Sequence, residues 1–177
     1  MASYDDGKLQ IVDWIQRTFE TGSTCLDVGA CDGKWRRLVG DHLIMDACEI
    51  WEPNIKQYRL EEQYRNVFNC DITKLKYDWY DLIIFGDVIE HIEVQEAQRV
   101  LIEAAKKCRD LIIGVPFLYQ QGEIYGNPYE RHIQDDLTDA LFRERYPGFT
   151  LLFEARTDYF YYHKDPRGAQ PPWSAII

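Results

Sequence analysis

The chain has 177 residues, a formal net charge of −10, 46% hydrophobic residues and 14% aromatic residues. This length and composition predict one globular domain over residues 1–177 and exclude a disordered chain. The acidic balance argues against a nucleic-acid partner, because general binding to nucleic acid depends on many Lys and Arg contacts with phosphates.

Helices and short strands alternate in the first half of the sequence. Apolar side chains recur at helical spacing from Lys8 onward, which predicts an N-terminal helix within residues 1–20. Short apolar runs bounded by turn residues predict strands that are buried on both faces. The predicted elements are, in order, a helix over 8–19, a strand at 24–28, a short helix after Gly33, a strand near 43–50, a helix over 53–64, and strands near 66–70 and 80–86.

The second half continues this alternation and then changes. An apolar stripe between Ala97 and Cys108, with charges on the opposite side, predicts a helix over 94–108. The segment 116–135 is rich in Tyr, Gly and Pro and is predicted to be a lid-like loop. The remaining predicted elements are a strand at 110–115, a helix near 136–146, strands at 150–156 and 158–163 that pair as an antiparallel hairpin, and an irregular tail over 164–177.

This order of elements predicts an α/β fold. Strands that alternate with helices form right-handed crossovers, which give a parallel sheet with helices on both faces. A terminal hairpin adds an antiparallel edge to such a sheet. We therefore expect a Rossmann-like, mostly parallel, seven-stranded sheet with a C-terminal antiparallel hairpin.

The five cysteines form no close pairs, and most lie inside apolar runs. That usage is typical of small core residues in a reducing compartment and not of a disulfide framework or a zinc site. The sequence also has no signal segment and no apolar run of membrane length. We expect a cytoplasmic protein without a membrane partner, and the sequence does not indicate an oligomeric state.

Each of four predicted strands ends in an acidic residue. Asp27, Asp71 and Asp87 follow three of them, and Asp46 with Glu49 closes the fourth. Ligands of open parallel sheets bind at the carboxyl ends of the strands, where these acids would meet. Because like charges repel in a partly desolvated cleft, the cluster predicts a positively charged nucleoside as the ligand. Asp46 alone is interpreted as structural.

The turn after the first strand supports a ligand without phosphate. It carries two glycines, Gly29 and Gly33, which allow a sharp turn and close approach to the main chain. A dinucleotide site normally has a third glycine and places the pyrophosphate on the helix N-terminus. Asp27 and Asp32 would repel that pyrophosphate. An NAD-dependent oxidoreductase of the same fold is therefore an alternative that the turn disfavours.

From Thr21 to His163, these motifs resemble those of the class I S-adenosylmethionine-dependent methyltransferases, in particular the small-molecule subgroup. The acid and glycines of Leu26–Gly33 are similar to the first motif of that family, although Cys31 stands where many members have glycine. The resemblance implies S-adenosylmethionine as the cofactor, with Asp27 and Gly29 at its methionine end, Glu49 on the ribose hydroxyls and Asp71 beside the adenine amino group. The residues so assigned to the cofactor are Asp27, Gly29, Ala30, Gly33, Glu49, Ile50, Asp71, Ile72, Gly86 and Asp87.

A second group of candidate residues follows the fourth strand. Asp87, Glu90 and His91 are close in sequence, and His132 lies beyond the loop. We interpret these four as candidate catalytic residues, with His91 or His132 as a general base. The Glu-His pair also resembles a metal-binding motif of two methyltransferase subgroups, one of which acts on the 2′-hydroxyl of RNA. A divalent metal is an alternative that we do not favour, because Asp87 replaces a longer Glu; a purely structural role for His91 is the third.

The resemblance implies an enzyme that transfers a methyl group from S-adenosylmethionine to an oxygen or nitrogen of a small molecule or sugar. That small-molecule acceptor is the expected partner. Three alternatives stay open: a metal-assisted enzyme similar to RNA 2′-O-methyltransferases, the NAD-dependent oxidoreductase, and a non-catalytic module that only binds S-adenosylmethionine. The sequence does not identify the acceptor.

Overall fold

The structure is a computed structural model that describes residues 6–164. Within that range, helices and strands alternate along the chain, and short 3₁₀ turns lie between them. The α-helices are α1 (Lys8–Thr18), α2 (Lys34–Val39), α3 (Glu52–Gln57), α4 (Val94–Ala105) and α5 (Asp139–Arg145). The strands are β1 (Ser23–Val28), β2 (Leu43–Cys48), β3 (Val67–Phe68), β4 (Tyr80–Gly86), β5 (Cys108–Pro116), β6 (Phe149–Glu154) and β7 (Tyr159–Lys164).

The strands form one seven-stranded sheet in the order β3-β2-β1-β4-β5-β7-β6. The five strands β1 to β5 run parallel to one another, whereas β7 runs antiparallel to both β5 and β6. Strand order reverses between β1 and β4, which is the switch point where open α/β sheets bind ligands. The predicted Rossmann-like sheet with a C-terminal hairpin is confirmed.

Alternate side chains of the central strands enter two different hydrophobic cores. Ile83 of β4 belongs to the core formed with α4 and α5, and Ile84 belongs to the core formed with α1, α2 and α3. Helices therefore cover both faces, as predicted. The near-continuous apolar sequences of β4 and β5 follow from this double burial.

Some element boundaries differ from those predicted. The predicted helix over 53–64 ends at Gln57, because Arg59 adopts a left-handed conformation (φ 52°) and a 3₁₀ turn follows. Cys108 opens β5 instead of closing α4, and Lys164 closes β7 instead of opening the tail. The rest of that predicted tail and the first five residues of the predicted N-terminal segment lie outside the described residues.

The predicted lid-like region, 116–135, is irregular after Pro116 and contains one 3₁₀ turn at Pro128–Glu130. Its end is tied to the segment after β4: the backbone N–H groups of Ile133 and Gln134 both donate to the carbonyl of Glu90, at 2.8 and 2.9 Å. These bonds bring the loop to the edge where the parallel strands end. In residues 6–164, no helix has the length and apolarity needed to cross a membrane.

Candidate cofactor and acceptor site

A cavity of about 450 Å³ lies at the carboxyl ends of the parallel strands. Its wall combines the turn after β1, the ends of β2, β3 and β4, and the loop that follows β5. A volume of this order suits a small organic ligand. The cavity therefore lies where the sheet topology predicts a binding site.

The turn after β1 forms part of the wall of this cavity. Gly29, Cys31 and Gly33 all have positive φ, at 69°, 48° and 73°. Glycine adopts this conformation without strain, whereas Cys31, which has a Cβ atom, is strained in it. The N–H groups of Gly29 and Ala30 both donate to the carbonyl of Cys48, at 2.8 and 3.3 Å. These N–H groups are consequently occupied by protein.

Glu49 follows β2, and its carboxylate braces this turn. One oxygen accepts the N–H of Cys31 and the other accepts the N–H of Trp51, each at 2.8 Å. Burial raises the pKa of Glu49, and the two N–H donors partly offset that effect. Because a carboxylate offers about four acceptor positions, both oxygens keep capacity for a ligand hydroxyl.

Asp71 and Ile72 line the cavity beyond β3. The Oδ1 atom of Asp71 accepts the N–H of Thr73 at 2.9 Å, so this acid also caps the short turn that follows. Capping occupies one oxygen and leaves the carboxylate able to accept a second donor. The buried Ile72 presents an apolar side chain beside it.

Asp27 does not line the cavity, although it lies next to the last residue of β1. Its side chain is 1% exposed, and Oδ2 accepts the hydroxyl of Tyr64 at 2.5 Å. Oδ1 is buried without a hydrogen-bond partner among the described residues. Burial raises the pKa of Asp27 to about 7, against the lowering effect of the Tyr64 hydrogen bond. The acid thus lies behind the turn.

Asp87 and Glu90 lie on the segment that follows β4. Asp87 faces the cavity and has a left-handed backbone (φ 57°). Glu90 is fully buried behind it, and neither of its carboxylate oxygens has a hydrogen-bond partner among the described residues. Burial, reinforced by the charge of Asp87, raises the pKa of Glu90 well above its ordinary value.

His91 and His132 line the cavity on the side of β4 and β5, the strands that they follow in the chain. Their rings meet edge to face, with centroids 4.7 Å apart. His91 Nδ1 lies 3.1 Å from the carbonyl of Arg131, and His132 Nδ1 lies 2.7 Å from the carbonyl of Tyr119. Since a carbonyl only accepts, each Nδ1 carries the proton, and each neutral ring keeps its lone pair on Nε2. Burial, and to a smaller extent His132, lowers the pKa of His91 to about 4.

The structure gathers most of the predicted residues at one cavity. Those that line it are Gly29, Ala30, Glu49, Ile50, Asp71, Ile72, Gly86, Asp87, His91 and His132. Asp27, Gly33 and Glu90 lie behind its wall.

Sequence reasoning did not select several further polar residues of the wall, which are Asn54, Glu93, Glu96, Gln121, Asn127 and Glu130. They come from the helices and the long loop, whose side chains carry no motif. The half-buried Glu130 stands out among them, because burial raises its pKa.

No protein-family model and no curated protein matches the sequence. Solved structures do match the fold. NodS, an N-methyltransferase from Bradyrhizobium japonicum WM9, gives a TM-score of 0.61 at 10% identity over 89% of this chain and 93% of NodS. Magnesium protoporphyrin IX methyltransferase from Synechocystis PCC 6803, solved with bound S-adenosylmethionine, gives 0.59 at 17% identity over 89% and 78%.

A third structure, of a protein assigned as an O-methyltransferase from Nostoc punctiforme PCC 73102, gives a TM-score of 0.62 at 13% identity. The match covers 89% of this chain and 56% of that protein, so the present chain spans little more than half of its length. Enzymes with different acceptors thus share this architecture. The chain has the α/β fold of the S-adenosylmethionine-dependent methyltransferases.

Proposed function

We propose that this protein is an S-adenosylmethionine-dependent methyltransferase that acts on an oxygen or nitrogen of a small-molecule acceptor. The observation that carries the proposal is a single cavity whose wall carries two chemically different groups on different strands of the sheet. Glu49 and Asp71 follow β2 and β3 and supply hydrogen-bond acceptors, whereas His91 and His132 follow β4 and β5 and supply Nε2 lone pairs on neutral imidazoles. A donor that carries hydroxyls and an amino group suits the first group, and an acceptor that loses a proton suits the second.

The charge of the cavity favours a cationic cofactor. Its wall includes seven acids: Asp32, Glu49, Asp71, Asp87, Glu93, Glu96 and Glu130. Lys34 is the one Lys or Arg among the described residues of the wall. S-adenosylmethionine carries a sulfonium and an ammonium group, whose positive charges offset the mutual repulsion of the acids. The product after transfer has lost the sulfonium charge, which favours its release.

The proposed reaction is a one-step displacement. The acceptor lone pair forms a bond to the methyl carbon, the carbon–sulfur bond breaks with its electron pair on sulfur, and the acceptor proton passes to Nε2 of His91 or His132. Holding both reactants in line supplies most of the acceleration, a contribution of up to roughly 7–11 kcal/mol. A positioned base whose pKa lies near the working pH adds a factor of about 10²–10⁴. With a pKa of about 4, His91 is a weaker base than an ordinary histidine and should supply less than this full factor.

The backbone of the first turn argues against a dinucleotide in the same cavity. A pyrophosphate at such a turn takes free backbone N–H groups, but in the turn that leads to α2 the N–H groups of Gly29 and Ala30 donate to Cys48 and that of Cys31 donates to Glu49. The carboxylate of Glu49 would also lie close to the phosphates. An NAD-dependent oxidoreductase is therefore disfavoured on geometry as well as on sequence.

A metal-assisted transfer is the second candidate, and one observation favours it. One potential ligand atom from each of Glu90, His91 and His132 can be chosen so that all three lie within 4.8 Å of one another. Carbonyl partners on both Nδ1 atoms fix the rings in the way that metal-bound histidines are commonly fixed. Two imidazoles and a carboxylate suit Zn²⁺ or Mn²⁺. Such an ion would polarise the acceptor oxygen, and these residues would then bind metal instead of taking a proton.

Binding and transfer assays test the main proposal. Titration with S-adenosylhomocysteine should give saturable binding, whereas NAD should give none, and methyl label should move from S-adenosylmethionine to a component of a metabolite extract. Binding without transfer to any fraction would support a non-catalytic module. Binding of NAD alone would support the oxidoreductase.

Removal of metal by a chelator distinguishes the metal-free mechanism from the metal-assisted one. If Glu90, His91 and His132 hold an ion, dialysis against a chelator should abolish transfer, and Zn²⁺ or Mn²⁺ should restore it. Transfer that persists unchanged after chelation would leave the imidazoles as bases and exclude the metal. His42 lies outside the cavity and bonds to the carbonyl of Phe19. The variant His42→Gln is therefore a control for substitutions of the two cavity histidines.

A further inference from the structure

Lys8 is the first residue of α1, and its side chain is buried in the protein core. Its side chain is 1% exposed, and Nζ has no hydrogen-bond partner among the described residues. An ammonium group in such a place is costly unless charges or dipoles nearby compensate for its lost hydration. Lys8 also lies behind the cavity wall, so it does not reach a ligand directly.

Aromatic rings and one carboxylate surround this ammonium. Nζ lies 5.0 Å from the ring centroids of both Trp35 and Tyr159, distances at which the ring faces attract a cation. Its ion-pair partner is Asp87, whose Oδ2 is 3.5 Å away. Lys8 thus links the N-terminal helix with the acid that follows β4.

The chain before Lys8 fixes the approach of this side chain. The carboxylate of Asp6 accepts the N–H and the hydroxyl of Thr157, and the carbonyl of Asp6 accepts the hydroxyl of Tyr161 at 2.8 Å. Gly7 has φ 79°, and a Cβ atom there would lie 2.5 Å from the Tyr161 ring. Helix α1 therefore starts at a defined position on the β6–β7 hairpin.

Asp87 connects the cavity with the aromatic cage of Lys8, which the rings of Trp35 and Tyr159 form. Its Oδ2 is buried toward Lys8, while 20% of its side-chain surface is exposed and the residue lines the cavity. Its N–H donates to the carbonyl of Gly114 at 3.0 Å, which fixes the left-handed backbone. One carboxylate consequently faces a cation on one side and a ligand space on the other.

We infer that Lys8 is a positioning residue of the proposed transfer site and acts through Asp87. The ammonium holds one Asp87 oxygen away from the cavity and compensates for the negative charge of Asp87. The other oxygen stays turned to accept a hydrogen bond from a bound cofactor. The inference rests on the proposed function, and it makes the N-terminal helix part of the cofactor site.

A role in stability alone accounts less well for this arrangement. Replacement of a buried ion pair by apolar residues of similar volume is often neutral or stabilising. An apolar side chain would also pack well among Trp35, Tyr159 and Tyr161. A lysine at this position is therefore better explained by its effect on the orientation of the Asp87 carboxylate.

A double-mutant cycle on the affinity for S-adenosylhomocysteine tests the inference. The variants are Lys8→Met, Asp87→Asn and the double variant, with Lys56→Met as the control because Lys56 is exposed and pairs with Glu52 on the surface. Calorimetry should show at least tenfold weaker binding for Lys8→Met and for Asp87→Asn. The double variant should bind no more weakly than Asp87→Asn, and the control should match the wild type.

Two outcomes would overturn the inference while the proposed function stands: Lys8→Met that binds within twofold of the wild type, or losses that add in the double variant. Failure of the wild type to bind S-adenosylhomocysteine at all would instead overturn the proposed function, and the inference with it. Circular dichroism verifies that each variant is folded. If Lys8→Met does not fold, the comparison of Asp87→Asn with the double variant decides, because further loss there contradicts an action through Asp87.

Discussion

The imidazole rings of His91 and His132 meet edge to face, 4.7 Å apart, although they belong to different segments. The backbone brings the rings together, because the N–H groups of Ile133 and Gln134, which follow His132, donate to the carbonyl of Glu90, which precedes His91. Gln134 adds side-chain bonds to the carbonyls of Ile89 and Ile92, at 2.7 and 2.8 Å. Both Nε2 atoms are thereby presented from a braced scaffold.

Replacement of either histidine by glutamine should slow methyl transfer. The glutamine amide can still donate to the carbonyl that holds the ring, but it has no basic nitrogen. We expect a rate loss of up to about 10²–10⁴ for His91→Gln or His132→Gln if the ring takes the acceptor proton. Initial rates with labelled S-adenosylmethionine measure the effect, and His42→Gln should match the wild type. Rates within threefold of the wild type for both variants would show that neither histidine is the base in the reaction.

Replacement of Glu49 by glutamine should weaken cofactor binding. The amide keeps one acceptor but turns an NH₂ group toward either the Cys31 or the Trp51 N–H, which disrupts the turn as well as the ribose contact. Hydrogen bonds to a charged group contribute about 1.5–3 kcal/mol, so affinity for S-adenosylhomocysteine should fall by roughly 10- to 100-fold. The matched control is Glu52→Gln, since Glu52 is exposed and pairs with Lys56. Equal affinities for both variants would exclude Glu49 as a cofactor residue.

Local pattern was sufficient to predict the sheet and much of the cavity. The apolar runs of β1, β2 and β4 are buried on both faces, and the acids after them mark where the strands end. Asp46 was interpreted as structural, and the structure places it against Arg65 in a two-armed ion pair, at 2.9 and 2.6 Å, with a further bond from Tyr80. The strands and the acids that close them depend on short stretches of chain, which is why the sequence reveals them, whereas the partners of Asp46 lie 19 and 34 residues away and were not predicted.

Features that depend on distant partners were not predictable. Asp27 faces away from the cavity because Tyr64, beyond the break in the predicted helix, supplies its hydrogen bond. Helical spacing predicted α1 but gave no reason to expect Lys8 among aromatic rings of α2 and β7. Each of these contacts joins residues far apart in sequence, and no periodicity encodes them.

The stability of the protein should depend on pH through Asp27. Its pKa is about 7 in the folded chain and about 3.9 in an unfolded one, so between these values the folded state holds a proton that the unfolded state lacks. The contribution of Asp27 to the free energy of unfolding should therefore fall as the pH rises from about 4 to about 7, and should stay nearly constant above pH 7. At about 1.4 kcal/mol for each pKa unit, the total is a few kcal/mol.

The variant Asp27→Asn isolates this contribution. An amide stays neutral at every pH, so the variant should lose the part of the pH dependence between pH 4 and 7 that comes from Asp27. Urea unfolding at intervals across that range measures both curves, and Asp13→Asn, a change at an exposed site, is the control. A difference between wild type and Asp27→Asn that is the same at every pH would contradict the raised pKa.

Glycine at position 31 should stabilise the turn after β1 relative to alanine. Cys31 has φ 48°, a conformation that strains a residue with a Cβ atom, and within residues 6–164 its sulfur accepts one long hydrogen bond, from Asn54 at 3.8 Å. Cys31→Ala keeps the strain and Cys31→Gly removes it, so glycine should be the more stable variant by about 1 kcal/mol. The N–H bond to Glu49 is unchanged in both, and cofactor affinity should follow the same order. Equal unfolding free energies for the two variants would mean that the turn relaxes out of the left-handed conformation.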